Sequence, residues 1–334
     1  MKIKSTAILV VLLFIACSKE NTNNKLQTSL LSNSINALDT AKIPLNDLGS
    51  GTFRDSVGGL YPGGVNIPPG TYAHDLSRAA KNIIPLDTFG HSSLNGKVTF
   101  ISIGGSTGGH NMKDLITKTS GNPATNPYLK MFTCNNGTTD ASLKDIIDTA
   151  SPYWAHITQV IKGARSSNRQ IQVIYLETDD TTTNVKWPDR PVTGKNHIES
   201  CMHVFKRKFP NIKIVYVLGR TQTFGTKAIW NKEPCPYYFS WSCKWAIQDQ
   251  INGVKAMNYT GKNAVAPMLA WGFYQWADSL PRKTDGFYWR ASETADGLHA
   301  NEVGQDTLSA RFQNFLLTDK YAKIWYGKNA GITH

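Results

Sequence analysis

The feature that most constrains the fold is an alternation of short apolar runs and helical patterns, which begins after residue 96. Five runs rich in β-branched and aromatic residues have the pattern of buried strands, at 98–103, 128–132, 171–176, 212–218 and 264–271. One helical pattern starts at Asn111. Four others cover 143–164 (with a bend at Pro152), 196–209, 241–257 and 303–315. Because this order requires right-handed crossovers, it predicts a parallel sheet covered by helices on both faces.

The first residues have the layout of an export signal. Lys2 and Lys4 precede an apolar run over 7–16, which is too short to span a bilayer and ends at Cys17. The segment 13–17 resembles a bacterial lipobox, which implies that Cys17 is lipidated after removal of a signal peptide over 1–17. We therefore expect an exported protein anchored by lipid to the bacterial outer membrane, facing the periplasm or the cell surface. A plain cleaved signal peptide is the alternative.

The rest of the chain divides into two parts. Residues 18–48 are rich in Asn, Ser, Thr and Lys and have no sustained period, so they are predicted to form a flexible tether. The glycines and prolines of 49–96 predict loops that wrap over other elements, with one helical pattern over 74–84. No internal repeat and no second boundary follow. We therefore predict a single domain over 49–334.

Four cysteines remain when Cys17 is set aside, and an oxidising compartment would allow them to form disulfides. Three pairings exist. The short spacing favours closure of a loop between Cys235 and Cys243, which leaves Cys134 with Cys201. Zinc is the rival interpretation, but the chain has no Cys-x-x-Cys or His-x-x-x-His pair, so we expect no metal and no cofactor.

The net charge of +12 predicts an acidic partner, such as an anionic polysaccharide, lipid headgroups or nucleic acid. The basic residues are scattered, however, and only 206–208 form a cluster. This cluster ends a predicted helix, where cations favour the helix dipole. No nucleic-acid motif accompanies it, so a nucleic-acid partner is not expected.

Polar residues and glycines follow each predicted strand, and in a parallel sheet function gathers at the carboxyl ends of the strands. In strand order these residues are Ser106, then Gly137, then Glu177 and Asp179, then Arg220, and finally Asp296 and His299 after a long loop. The topology therefore places these seven residues on one rim.

Three of these residues have the chemistry of a hydrolytic triad. A neutral imidazole such as His299 is suited to take the proton of a serine hydroxyl, and Asp296, three residues earlier, can hold the ring in one tautomer. Ser106 lies in a glycine-rich turn, which would expose its Oγ and leave nearby N–H groups free for an oxyanion. Each motif alone is a weak signal, since Gly-Gly-Ser-Thr-Gly is most often a flexible turn. Their joint position at strand ends strengthens both.

The strand that ends in Gly104-Gly105-Ser106, together with Asp296-x-x-His299 and Gly304 before a C-terminal helix, resembles the SGNH/GDSL hydrolase superfamily. The resemblance extends over roughly 58–315. It implies a flavodoxin-like three-layer α/β/α sandwich with a five-stranded parallel sheet, and a Ser-His-Asp esterase. It also implies that the N–H groups of Ser106 and Gly137 hold the oxyanion.

Two departures from the family pattern make this chain a divergent member. Gly105 stands where the family usually has an Asp, which is not a triad residue. The third block, Gly-x-Asn-Asp, has no match in 177–184, where Asn184 is the nearest substitute. The second departure bears on the rate of catalysis rather than on the fold.

Aromatic residues crowd the region before the acid and base. Tyr274 and Trp276 are candidate platforms for sugar rings, although core packing is the alternative for any single ring. Arg220 could bind an anionic substrate or pair with Asp179 or Asp180. We therefore expect a serine esterase that removes an acyl group from a polysaccharide or acts on another ester. The alternatives are a glycan-binding lipoprotein without efficient catalysis, and an adhesion or assembly protein that uses its positive surface.

Overall fold

A parallel five-stranded sheet forms the centre of the protein, in the order β4-β3-β5-β6-β7. The structure, a computed structural model, describes residues 41–135, 142–328 and 330. The strands are β3 (Val98–Gly104), β4 (Leu129–Thr133), β5 (Ile171–Glu177), β6 (Ile214–Val217) and β7 (Met268–Trp271). A separate antiparallel pair precedes them, β1 (Thr52–Phe53) and β2 (Ser56–Val57). The predicted α/β fold with a parallel sheet is confirmed.

Helices cover both faces of the sheet and complete a three-layer α/β/α sandwich. They are α1 (Leu45–Leu48), α2 (Gly70–Lys81), α3 (Ser106–Thr119), α4 (Leu143–Ile147), α5 (Pro152–Gly163), α6 (Asp189–Lys208), α7 (Cys235–Ile251), α8 (Glu302–Thr318) and α9 (Lys323–Tyr326). Helix α3 packs against α8, and α6 packs against α7. Strands β3 and β5 are buried at every position, which explains why they appear in the sequence as largely apolar runs without a polar face.

The strand order determines where a site can form. Counted along the chain, the five strands lie in the order second, first, third, fourth, fifth, which is the flavodoxin-like arrangement. The chain leaves β3 towards β4 on one side and later returns to β5 on the other. Ligands in such sheets bind outside the carboxyl ends of the strands at this reversal. The end of β3 and the segment after it lie at this point.

One predicted helix is divided in two. The pattern over 143–164 predicted a single helix with a bend, whereas the structure has α4 and α5. Pro152 is the first residue of α5, and the Ser151 side chain caps this end by accepting a hydrogen bond from Tyr153 N. A proline at this position has no helical N–H to lose, so it begins a new helix rather than bending one.

The folded domain begins earlier than predicted. Leu45 is fully buried, and the carboxylate of Asp47 accepts hydrogen bonds from the backbone N–H groups of Lys283 (2.6 Å) and Thr284 (2.9 Å). The predicted boundary at 49 is therefore wrong, because α1 is packed into the domain. The predicted signal peptide over 1–17, Cys17 and the tether up to residue 40 lie outside the described residues. Among the described helices, none is long and apolar enough to cross a membrane.

The predicted disulfides are wrong for this structure, in which Cys134, Cys201, Cys235 and Cys243 are buried free thiols. Cys235 and Cys243 lie on the same helix, α7, eight residues apart, so their Cα atoms are separated by about 12 Å along the axis. A disulfide needs Cα atoms within about 7 Å. Burial raises the pKa of the Cys134 thiol to about 12, which keeps it protonated and unreactive at neutral pH.

Candidate active site

The candidate nucleophile lies at the junction of β3 and α3. Gly104 ends the strand with φ +134°, and a Cβ there would lie 2.1 Å from the carbonyl oxygen of Glu177 on the neighbouring strand. Only glycine fits this contact and this backbone conformation. Gly105 is the N-cap residue of α3 and provides no side-chain cap, and Ser106 is the first helical residue. The side chain of Ser106 is thereby presented at the carboxyl edge of the sheet.

Ser106, His299 and Asp296 form a continuous chain of hydrogen bonds, as the sequence predicted. Ser106 Oγ lies 2.8 Å from His299 Nε2, across 193 residues of sequence. His299 Nδ1 lies 2.8 Å from Asp296 Oδ2. Both distances are within the range of good hydrogen bonds. The arrangement provides a nucleophile, a base and a carboxylate that orients the base.

The loop that carries the acid and base is held by its own backbone. Asp296 Oδ1 accepts hydrogen bonds from the N–H groups of His299 (2.7 Å) and Leu298 (3.0 Å). Burial raises the pKa of Asp296, but the hydrogen bonds from the His299 side chain and from the two N–H groups outweigh it and lower the pKa to about 2. Asp296 is therefore ionised at neutral pH.

Gly297, inside the Asp-x-x-His motif, anchors this loop to the segment after β6. Its φ is +82°, and a Cβ there would lie 1.6 Å from the carbonyl oxygen of Phe224. The N–H of Phe224 donates to Gly297 O at 2.7 Å. This close backbone contact fixes the position of Asp296 and His299, so the glycine is part of the site's construction.

Helix α3 was predicted to start at Asn111 but begins at Ser106. Two glycines in its first turn allow it to lie close to the end of β5 and to Asn135. A Cβ on Gly108 would lie 3.0 Å from Glu177 Cβ, and one on Gly109 would lie 2.7 Å from Asn135 Cβ. The first N–H groups of a helix have no intrahelical acceptor and lie at the positive end of its dipole. The start of α3 therefore offers oxyanion donors, including Ser106 N–H. Gly137, the other predicted donor, lies outside the described residues.

Glu177 and not an Asn side chain occupies the end of β5. Its carboxylate accepts hydrogen bonds from Tyr175 OH and, at 3.1 Å, from Asn111 Nδ2. Burial raises its pKa, against the opposing effects of Arg220 and its hydrogen-bond donors. The nearest substitute in the sequence, Asn184, is exposed and donates to Asp189 Oδ2 at 3.2 Å. Neither residue provides the amide donor of the family's third block.

A cavity of about 210 Å³ opens beside Ser106. Its lining residues are Gly105, Ser106, Thr107, Ser142, Asp145, Thr178, Asp179, Thr181, Arg220 and Leu298. Leu298, from the Asp-x-x-His motif, is the one large apolar side chain in this lining. A cavity of this volume, with one large apolar side chain, gives a long apolar chain little surface to contact.

Arg220 lines this cavity, and its guanidinium pairs with Asp179, one of the two carboxylates predicted as partners. Only 2% of Arg220 is exposed, and burial lowers its pKa to about 10, so it remains charged at neutral pH. Asp180 instead pairs with Arg190 at 3.1 Å. The described structure therefore contains the predicted ion pair, and the other prediction for Arg220, an anionic substrate, stays a prediction.

The two predicted aromatic platforms are not exposed at the triad. Trp276 is fully buried and donates its indole N–H to Glu233 Oε1 at 3.0 Å, so its prediction as a sugar platform is wrong. Tyr274 is also buried, but it lines a different cavity. His110 was missed: its ring centroid lies 5.8 Å from that of His299. Its spacing of four residues from Ser106 is the signal that places both on one helix face.

Within 41–135, 142–328 and 330, no group of three or more His, Cys, Asp or Glu residues is arranged to hold a metal ion. A scan against protein-family models finds no match, and no curated protein matches the chain.

Proposed function

We propose that the protein is a serine esterase that hydrolyses an ester, with an acyl group on a polysaccharide as the substrate class. The observation that carries the proposal is the hydrogen-bond chain from Ser106 Oγ through His299 to Asp296. Three residues with these roles, at the carboxyl edge of a flavodoxin-like sheet, resemble the SGNH/GDSL hydrolases. Export and lipid anchoring at Cys17 belong to the same proposal and rest on the sequence.

The mechanism follows from the positions of the groups. His299 Nε2 takes the proton of Ser106 Oγ while the oxygen attacks the acyl carbonyl, and the ionised Asp296 stabilises the imidazolium. The N–H groups at the start of α3 stabilise the negative charge on the carbonyl oxygen. His299 then donates its proton to the departing alcohol, which leaves an acyl ester on Ser106. A water molecule, deprotonated by His299, releases the acid and restores the serine.

The small volume of the catalytic cavity favours a short acyl group. A long acyl chain gains about 0.8 kcal/mol for each CH₂ that it buries against an apolar surface, but this cavity has a volume of only about 210 Å³ and one large apolar side chain, Leu298. The hydroxyls of Ser142, Thr178 and Thr181 are instead suited to a substrate that carries hydroxyl groups. An acetyl ester of a sugar combines both properties.

The direct test measures hydrolysis of p-nitrophenyl acetate by the purified protein and by Ser106→Ala. We expect the substitution to reduce kcat by at least about 1,000-fold, because it removes the attacking oxygen. Ser120→Ala, an exposed change at the C-cap of the same helix, is the matched control and should leave kcat unchanged. Equal rates for Ser106→Ala and the unaltered protein, or no hydrolysis of acetyl esters by either, would refute the proposal.

A further inference from the structure

The amino edge of the sheet, opposite the triad, carries a concentration of positive charge. Lys97 immediately precedes β3, Lys130 is the second residue of β4, Arg169 lies two positions before β5 and Lys213 immediately precedes β6. These strands are neighbours in the sheet, so their starts lie within three strand spacings, about 14 Å. Helix α6 ends shortly before β6, so its basic last residues, 206–208, lie at the same edge. Basic side chains from separate elements therefore converge on one face.

The helix dipole accounts for only part of this charge. Cations are favourable in the last turn of a helix, which fits 206–208. Lys97, Lys130 and Arg169 are not in helices, and Lys130 Nζ donates to Arg165 O at 2.9 Å. Burial lowers the pKa of Lys130, and the positive charges of Lys97 and Arg165 lower it further. These basic groups therefore repel one another, and an anionic partner would relieve the repulsion.

Carboxylates around this edge are engaged in local contacts. Asp87 Oδ1 accepts hydrogen bonds from two backbone N–H groups of its own loop, each at 2.9 Å. Asp75 Oδ1 lies 2.8 Å from Arg78 Nη2. Asp319 Oδ1 accepts hydrogen bonds from two backbone N–H groups at the start of α9, at 2.9 and 2.8 Å. Within the described residues, none of the three forms an ion pair with the basic residues that precede β3 and β5.

A loop on the same face exposes two large apolar side chains. Phe89 is 69% exposed and Leu94 is 90% exposed, and both lie in the segment that leads into β3. This loop is held beside the basic residues, because Asn211 Nδ2 donates both to Gly90 O (3.2 Å) and to Arg169 O (2.7 Å). Apolar side chains that project from a basic face are the pattern of a protein that binds at a membrane interface.

We propose that this face docks on a bilayer that contains anionic phospholipids. We call it the basal surface and define it by Phe89, Leu94, Lys97, Arg165 and Arg169. The basic side chains would lie against the headgroups, and the two apolar side chains would insert between them. A soluble polyanion would satisfy the charges but would leave both apolar side chains in water. The proposal does not depend on esterase activity or on a lipid anchor, since neither involves these residues.

Docking in this way would fix the orientation of the triad. Strand β3 spans seven residues, about 23 Å, between the amino edge and the carboxyl edge that presents Ser106. The triad would therefore face away from the bilayer, towards a substrate outside it.

A fluorescent label on the loop tests the insertion directly. Leu94→Cys and Leu280→Cys are each labelled with the environment-sensitive NBD group in the full chain carrying Cys17→Ser; the other four cysteines are buried and should not react. Leu280 is 69% exposed but follows β7, so it is the matched control at the carboxyl edge. With vesicles of phosphatidylcholine and about 40 mol% phosphatidylglycerol, emission from position 94 should shift to shorter wavelengths, and emission from position 280 should not. Vesicles of phosphatidylcholine alone should shift neither.

Vesicle sedimentation tests the charges. Arg165→Gln combined with Arg169→Gln should weaken binding to the same anionic vesicles by at least about fivefold, which is roughly the contribution of one basic residue near an anionic surface. Lys227→Gln combined with Lys283→Gln removes the same charge at exposed positions after β6 and β7, and should bind as the unaltered protein does. Thermal unfolding of each variant distinguishes lost binding from lost folding.

Three results would overturn the inference. The first is a label at position 94 that responds to anionic vesicles no more than the label at position 280. The second is an equal loss of binding from the two charge pairs. The third is binding of a heparin hexasaccharide while the label at position 94 stays in water with every vesicle.

Discussion

Replacing Asp296 with Asn separates the catalytic role that we propose for this carboxylate from its contribution to folding. Asp296 accepts hydrogen bonds from His299 Nδ1 and from the backbone N–H groups of His299 and Leu298. An Asn side chain keeps the size of the group and one oxygen acceptor. It loses the charge, and its amide nitrogen cannot accept a hydrogen bond. The imidazole is then no longer held in the tautomer that leaves Nε2 free to accept the proton of Ser106.

The two expected magnitudes differ strongly. A carboxyl whose pKa falls from its ordinary value to about 2 would contribute about 2.6 kcal/mol at neutral pH if it were shielded from solvent. The Asp296 side chain is 54% exposed, so screening reduces this to no more than about 1 kcal/mol. Because the folded pKa is the lower one, this stabilisation is present above about pH 4 and is lost as the pH falls towards 2. The loss in kcat should instead be between about 100-fold and 10,000-fold.

The assay compares hydrolysis of p-nitrophenyl acetate near neutral pH with the thermal unfolding temperature of the same samples. Asp296→Asn should lose activity as stated, while its unfolding temperature falls by less than about 4 °C. Asp306→Asn, which removes an exposed carboxylate paired with Lys118 outside the triad, should change neither by much. The carboxylate does not have this role if Asp296→Asn keeps more than about a tenth of the activity, or loses activity only in proportion to the fraction unfolded.

Three further predictions rest on individual contacts. The ratio kcat/KM should fall from p-nitrophenyl acetate to the octanoate ester, because a catalytic cavity of about 210 Å³ is too small to bury the longer chain. A rise with chain length would contradict this prediction. Gly109→Ala should lower the free energy of unfolding, measured in urea, by about 1 to 3 kcal/mol, because the new Cβ would meet Asn135. The control Gly163→Ala should be neutral or stabilising by up to about 1 kcal/mol, because a Cβ on Gly163 would have no atom within 4 Å. Reducing agent should leave the unfolding temperature unchanged, and peptide mapping without reductant should find no disulfide between Cys235 and Cys243.

The central strands were predictable from sequence because they are buried on both faces. Strand β5 was predicted over 171–176 and is observed over Ile171–Glu177. Strand β7 was predicted over 264–271 but begins only at Met268. Pro267 has no N–H to donate to a neighbouring strand, and the N–H groups of Val265 and Ala266 donate to Asn258 O instead. Apolar composition therefore extended the prediction past the point where the hydrogen bonds of the ladder end.

The triad was predictable because its members carry local signals, a glycine-rich strand end and an Asp and His three residues apart. The disulfide prediction failed because the start of a helix was misplaced, and the prediction for Trp276 failed because its burial depends on long-range packing. Helix α7 begins at Cys235 and not at Trp241, so a spacing that suggests a loop belongs to a rigid helix. Trp276 packs against Tyr237 with ring centroids 4.7 Å apart. The sequence shows that an aromatic ring is present, but it does not show whether the ring faces the core or a binding cavity.

The residues at the end of β5 bear on the rate of the proposed reaction and not on its type. The family that the chain resembles places an Asn donor there, whereas this structure has Glu177 turned towards Asn111 and Asp179 paired with Arg220. Removing one donor from an oxyanion site typically costs about 100-fold to 1,000-fold in kcat. The triad geometry is unaffected by this difference, because Ser106, His299 and Asp296 are held by the ends of β3 and α3 and by the Gly297 loop. We therefore expect the proposed acylation of Ser106 to follow the same mechanism, but with one donor fewer at the end of β5 and a correspondingly slower turnover.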